Sequence, residues 1–279
     1  MTKRRKVAGV RVVTSNLHAG VDGWGRATPA LATAIELGPD ILVAPEMWRG
    51  DSGDDFVNTL TNAGYQGHFA PVTRGERVTS TTPPVTSRRW QPWSAHLTGE
   101  RGLYYGEHRS FSFFQRRTRA RQTFEAGTWG LGLFTRLPLR TIEQVDVGRL
   151  WRERVRRVVI VATIEGPTGP CSVVAVHGAH LSHGSPIWFH RLRQVLKALP
   201  GDQPVIVAGD FNAWAPVLRL LLPGWTHQVR ARTWPRPRPH SQIDHIVTRG
   251  GWRSQGGGAV DGGSDHFALY ADLDVGDAN

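Results

Sequence analysis

Cysteine occurs once, at Cys171, so no internal disulfide can form and the disulfide-stapled folds of small secreted domains are excluded. A reducing, cytoplasmic location is the expectation that follows. Lysine is confined to Lys3, Lys6 and Lys197, which leaves nearly all positive charge to arginine. No apolar run approaches the roughly 18 residues of a membrane-spanning helix, so no transmembrane segment is expected. The basic start Lys3, Arg4, Arg5, Lys6 is not followed by a secretory apolar region, because Gly9 and Arg11 interrupt Val7 to Val13. There is no internal repeat, and neither a cysteine cluster nor an H-E-x-x-H pattern for a zinc site.

What is present suits a sizeable core: 39% hydrophobic residues in 279, with 11 Trp and 10 Phe. The net charge of +11 favours an anionic partner, which could be nucleic acid, anionic lipid or a phosphorylated small molecule. An arginine-favouring codon bias would give the same skew, so charge does not choose among them. A monomer is expected.

The stretch Pro204 to Ala213, PVIVAGDFNA, organises the chain. Val205, Ile206 and Val207 read as a short buried strand that runs into Gly209, Asp210, Phe211 and Asn212. Glycine at a strand exit allows a tight turn, so Asp210 and Asn212 are presented at the rim of a sheet. Other strand exits carry polar groups as well. Val10 to Thr14 leads to Asn16, Asp40 to Ala44 leads to Glu46, and Ser172 to Val176 leads through His177 to His180. A strand over Ser241 to Thr248 contains Asp244, whose carboxylate among apolar residues needs a buried partner. Asp265 and His266 precede a closing strand, Phe267 to Leu273. Helices are expected over Thr28 to Leu37, Asp54 to Ala63, Ser185 to Leu199 and Pro216 to Leu222.

The pattern is lost between Thr73 and Gly127, where Arg88, Arg89, Arg101, Arg109, Arg116 and other arginines interleave with Trp90, Trp93, Tyr104, Tyr105 and Phe111. Arginine with aromatics is the chemistry of phosphate tracking and base stacking, and equally that of an exposed loop with aromatic anchors. The organisation expected is a basic tail over 1–9 and one α/β domain over 10–275, carrying this Arg/aromatic-rich insertion around 73–127.

Hard oxygen donors such as Glu46 and Asp265 suit Mg²⁺, with Mn²⁺ as a substitute. In order along the chain, SNLHAG (Ser15 to Gly20), PE (Pro45, Glu46), GLGLFTRLPL (Gly130 to Leu139), AHL (Ala179 to Leu181) with Arg191 and Gln194, GDFN (Gly209 to Asn212), IDHI (Ile243 to Ile246) and SDH (Ser264 to His266) resemble the endonuclease/exonuclease/phosphatase superfamily, the DNase I-like Mg²⁺-dependent phosphoesterases. The resemblance implies a four-layer α/β/β/α sandwich of two mixed β-sheets. It implies Glu46 as principal metal ligand, with Asn16 and Asp265 as supporting ligands or organisers. Asp210 resembles the residue that orients or deprotonates water, and Asn212 one that holds the phosphate or the metal's shell. His180 and His266 are expected on the scissile phosphate, with Asp244 paired to His266. His18 departs from the pattern, standing where nuclease members often carry Asn or Asp and resembling an N-x-H-x-G variant.

A nuclease is the leading expectation. The alternative is a phosphodiesterase or phosphatase of a lipid head group or phosphorylated small molecule, with Trp90 and Trp93 at a membrane interface. A non-enzymatic anion-binding scaffold is a remote third, since no expected polar position carries an inert residue.

Overall fold

A computed structural model describes residues 9–22, 26–53, 55–82, 97–99, 121–151, 153, 155–180 and 184–275. Its strands form two sheets. The first has the order β12 (Trp252–Asp261), β13 (Phe267–Val275), β1 (Val10–Thr14), β2 (Ile41–Gly50), β5 (Arg121–Thr135), β3 (Gln66–Thr82) and β4 (Leu97–Gly99). The second has the order β10 (Thr226–His227), β11 (Asp244–Arg249), β9 (Val205–Asp210), β8 (Gly169–His177), β7 (Arg156–Gly166) and β6 (Leu139–Arg149). Each sheet is mixed, since β1–β2 and β8–β9 pair parallel while their neighbours pair antiparallel.

The period-2 alternation of each central strand divides its side chains between two interfaces. Val10, Val12, Ile41 and Val43 of the first sheet face Val173, Ala175, Ile206 and Ala208 of the second in one apolar layer. The opposite faces are also covered. Val13, Leu42 and Ala44 pack with Ala30, Ala34, Phe56 and Leu60 from the helices Ala30–Glu36 and Phe56–Asn62. Val174, Val176, Val205 and Val207 pack with Trp188, Phe189, Leu192 and Leu196 of the helix Ser185–Ala198, and with Leu218 of Ala215–Leu221. The result is helix, sheet, sheet, helix, the four-layer arrangement implied by the resemblance. A strand buried on both faces needs a continuous apolar run, which is why VIVA was readable as strand.

Two differences from the sequence reading bear on the site. The apolar pattern stops near Pro71, yet β3 runs on to Thr82, paired with β5 residue by residue as far as Thr82↔Arg121. Arg74, Glu76, Thr123 and Phe124 are exposed there, and the inward positions of β3 are taken by Gly75 and Arg77, so its buried face carries no apolar residue by which a sequence could show it. The arginines and aromatics singled out between 83 and 120, Trp90 and Trp93 among them, lie outside the described residues, as does the basic tail as far as residue 8. Among the described residues no helix is long and apolar enough to cross a membrane.

Candidate active site

Local backbone features aim the polar groups at the strand ends. Between Ala44 and Met47 the β2–β5 register shifts, so Pro45 and Glu46 together oppose the single residue Leu131. A bulge of this kind re-aims a side chain, and Glu46 takes the left-handed φ of 52° that goes with it. Its Oε1 thereby lies 3.8 Å from His177 Nε2 on the other sheet. At Gly209, φ is 146° and an added Cβ would meet the Val176 carbonyl at 1.9 Å, so only glycine lets β9 run this close to β8 just before Asp210. Asn212 also adopts a left-handed φ, 49°. Its backbone N donates to Asp210 Oδ1 (2.7 Å) and its Nδ2 to the Gly178 carbonyl (3.1 Å).

Asp210 is the hub. Asn16 Nδ2, from the end of β1, donates to its Oδ2 at 3.2 Å, which couples the two sheets. The same oxygen lies 3.9 Å from His177 Nε2 and 3.9 Å from His266 Nε2. His266 Nδ1 donates to Asp244 Oδ2 at 2.8 Å, and Asp244 is fully buried. Beside this chain, Ser264 Oγ donates to the Asn16 carbonyl (2.7 Å) and lies 3.2 Å from Asp265 Oδ1. Asp265 Oδ2 faces His18 Nε2 at 3.7 Å.

The electrostatics follow from burial and from which charges meet. Burial, then the nearby Asp244 carboxylate, pushes the Asp210 carboxyl up to about 7. Burial works against the His266 imidazolium, but the Asp244 and Asp265 charges and the bond to Asp244 outweigh it and hold His266 well above the usual histidine range. Burial, then the Arg157 guanidinium, lowers His177 to about 3, so its ring is neutral. Ligand atoms of Asp210, Asp244 and His266 lie within 4.8 Å of one another, a spacing that could hold a cation. A protonated His266 hydrogen-bonded to Asp244 already supplies the positive charge of that cluster, so it reads as a proton-holding chain. The oxygens left for a cation are those of Glu46, Asn16, Asp210 and Asp265.

Of the residues expected from sequence, the structure thus joins Asn16, Asp210, Asn212, Asp244 and His266 through direct contacts, with Glu46 and Asp265 at their flanks. His180 is exposed just past β8, and the Leu181 to His183 stretch lies outside the described residues. The imidazole that lies against both Glu46 and Asp210 belongs to His177, which sequence reasoning passed over. Its signal was its place: His177 is the last residue of β8 and stands in register with Asp210.

The sequence model of the Endonuclease/Exonuclease/phosphatase family matches residues 13–266. Similar solved structures include an endonuclease/exonuclease/phosphatase from Beutenbergia cavernae DSM 12333, 20% identical with a TM-score of 0.63, over 96% of this chain and 72% of that one. The human Nocturnin catalytic domain with bound sulfate is 17% identical, with a TM-score of 0.62 over 96% and 94% of the two chains. D. rerio TDP2 complexed with a single-strand DNA product is 14% identical, with a TM-score of 0.59 over 96% and 100%. At these identities the structures attest the fold alone. No curated protein sequence matches the chain.

Proposed function

The chain belongs to the endonuclease/exonuclease/phosphatase family, and from that membership we propose that it is a divalent-metal-dependent phosphodiesterase acting on nucleic acid. The observation that carries the reading is the buried line Asp244–His266–Asp210 at the strand ends, beside Glu46 and Asn16. A phosphodiester hydrolase needs a base for water, a proton-rich group against the developing charge, and a cation. Asp210 is the base: its oxygens are aimed by Asn16 and Asn212, and its carboxyl, at about 7, is matched to taking a proton near neutrality. His266, kept protonated by Asp244, donates to a non-bridging phosphate oxygen. Asn212 orients the phosphate, and His180 reaches it from the exposed rim.

The donor set fits a hard dication. Asn16 Nδ2 meets the Asp210 carboxylate, with Glu46 and Asp265 at the flanks; the upward displacement of Asp210 comes chiefly from burial and from Asp244, and Glu46 adds a smaller push in the same direction. Glu46, Asn16 and Asp265 would hold Mg²⁺ or Mn²⁺. When bound, the ion supplies positive charge against the phosphate oxygens as they become more negative.

Nucleic acid is favoured among phosphodiesters by a structural neighbour solved with a single-strand DNA product, and the net charge of +11 is compatible with that polyanion as with other anionic partners. The test is a screen of the purified chain with Mg²⁺ or Mn²⁺ against supercoiled DNA, single-stranded DNA, RNA, sphingomyelin, phosphoinositides and a bis-aryl phosphodiester, with Asp210→Ala as control. Cleavage of a nucleic acid that weakens steeply with salt is expected. Hydrolysis of a lipid head group, with DNA and RNA untouched, replaces the nuclease reading by the lipid one.

A further inference from the structure

The roles above leave His18 without one, although it is almost wholly buried among them. Its ring orientation is fixed. Nδ1 lies 2.6 Å from the Val21 carbonyl, which can only accept, so Nδ1 donates there and Nε2 is the nitrogen turned toward the other site residues. That nitrogen faces Asp265 Oδ2 at 3.7 Å. A direct charge-assisted hydrogen bond would measure about 2.7–2.9 Å, so the two side chains stand roughly 1 Å farther apart than that. An imidazole nitrogen and a carboxylate oxygen facing each other at this separation would need only a small adjustment to share one dication. An imidazole whose other nitrogen is tied to a backbone carbonyl is the usual way a protein orients a histidine ligand.

The backbone is arranged to keep this aim. His18 and Ala19 both hold left-handed φ values, 49° and 53°, which non-glycine residues adopt at a cost of order 1 kcal/mol each. The buried Arg77 guanidinium donates to the Ala19 carbonyl at 2.6 Å and fixes the turn, while His18 N donates to Asn16 Oδ1 at 3.1 Å.

We infer that His18 Nε2 and Asp265 Oδ2 are adjoining donors to the bound cation, and that the nitrogen makes this site select first-row transition dications such as Mn²⁺ over Mg²⁺. The inference rests on the metal-dependent reading above and deepens it by naming the ion. Mg²⁺ wants oxygen in near-octahedral array and gains little from imidazole, whereas affinity for nitrogen rises along the first-row series.

The test is pulsed electron paramagnetic resonance on the full chain with Mn²⁺ bound one to one. Nitrogen-14 modulation is expected in the wild type, changing to the nitrogen-15 pattern when only histidine is labelled. It should persist in His177→Asn, which removes another imidazole near the carboxylates, and vanish in His18→Asp, which keeps a donor at that place. Competition calorimetry should show the preference for Mn²⁺ over Mg²⁺ falling at least about tenfold in His18→Asp. Bound Mn²⁺ without nitrogen modulation in the wild type overturns the inference, and that measurement needs no variant to fold. Modulation that survives in His18→Asp overturns it as well. Oxygen-only Mn²⁺ in a chain that cleaves phosphodiesters removes this inference and keeps the proposed function; nitrogen ligation without hydrolysis of any phosphoester does the reverse.

Discussion

His266 Nδ1 donates to Asp244 Oδ2 at 2.8 Å, and this single bond ties β11 of the second sheet to the residue just before β13 of the first. It accounts for a carboxylate set in the apolar stretch Ile243 to Val247, since a buried charge persists only with a partner. It also gives His266 the proton that the proposed chemistry uses. In Asp244→Asn the charge is lost and the His266 imidazolium with it. We expect turnover to fall by about 10²–10⁴, and the His266 titration followed by NMR to move toward lower pH. Unchanged turnover in a folded variant would take the pair out of the chemistry.

Removal of the metal is the second prediction. EDTA should abolish phosphodiester hydrolysis, and Mn²⁺ or Mg²⁺ should restore it. Because a ligand that binds only the folded chain stabilises it, saturating metal at about 100 times its dissociation constant should add about 2.7 kcal/mol to stability. Glu46→Gln should lose most of this gain while folding as before without metal. A thermal midpoint that ignores metal in the wild type, together with hydrolysis in EDTA, would contradict the assignment.

Acid sensitivity is the third. His245 Nε2 donates to the Ala213 carbonyl at 2.9 Å, and the ring lies edge-on to Phe211. Burial lowers its pKa to about 4 from an ordinary 6.5. The unfolded chain therefore takes up a proton at higher pH than the folded one. Stability from this residue is complete above about 6.5 and drains away as pH falls toward about 4. Full neutral burial of such a group is worth up to ~3 kcal/mol over that window. Denaturant unfolding at pH 7.5 and pH 5 should show a smaller loss in His245→Gln than in the wild type, and His177, lowered to about 3, should leave a residual acid sensitivity in both.

Much of this site was legible because strands buried on both faces must be apolar throughout, so a polar residue ending one stands out. Asp210 after VIVA, Asn16 after VRVVT and Glu46 after ILVAP are of this kind. His177 was not legible, because His177, His180 and His183 follow the same apolar run, and only the β8–β9 register decides which imidazole turns inward. The bulge that turns Glu46 toward His177 leaves no mark in the sequence beyond Pro45. Strand β12 escaped for another reason: its GGG run argues against a strand, yet pairing along nearly the whole of β13 holds it at the sheet edge.

The last prediction concerns the joint between the β3–β5 ribbon and the site. Arg77 and Glu125 stand directly opposite each other in the β3–β5 ladder, with Arg77 Nε and Nη2 each 2.8 Å from Glu125 Oε2. Arg77 lies over the Trp48 ring, 5.4 Å from its centroid, and its Nη1 satisfies the Ala19 carbonyl; Glu125 Oε1 accepts from Ser52 Oγ at 2.8 Å. Arg77→Met keeps the stem but leaves a largely buried carboxylate and carbonyl without their donor, so a loss of about 3 kcal/mol is expected in denaturant unfolding. Arg77→Met with Glu125→Leu removes both charges and should recover part of that loss, because an apolar pair carries no desolvation cost. The Ala19 carbonyl remains unsatisfied in the double variant, so metal affinity at the His18 turn should stay weakened even where stability returns. Recovery of both together would show that the pair serves stability alone, whereas recovery of stability without metal affinity marks Arg77 as the residue that positions the turn.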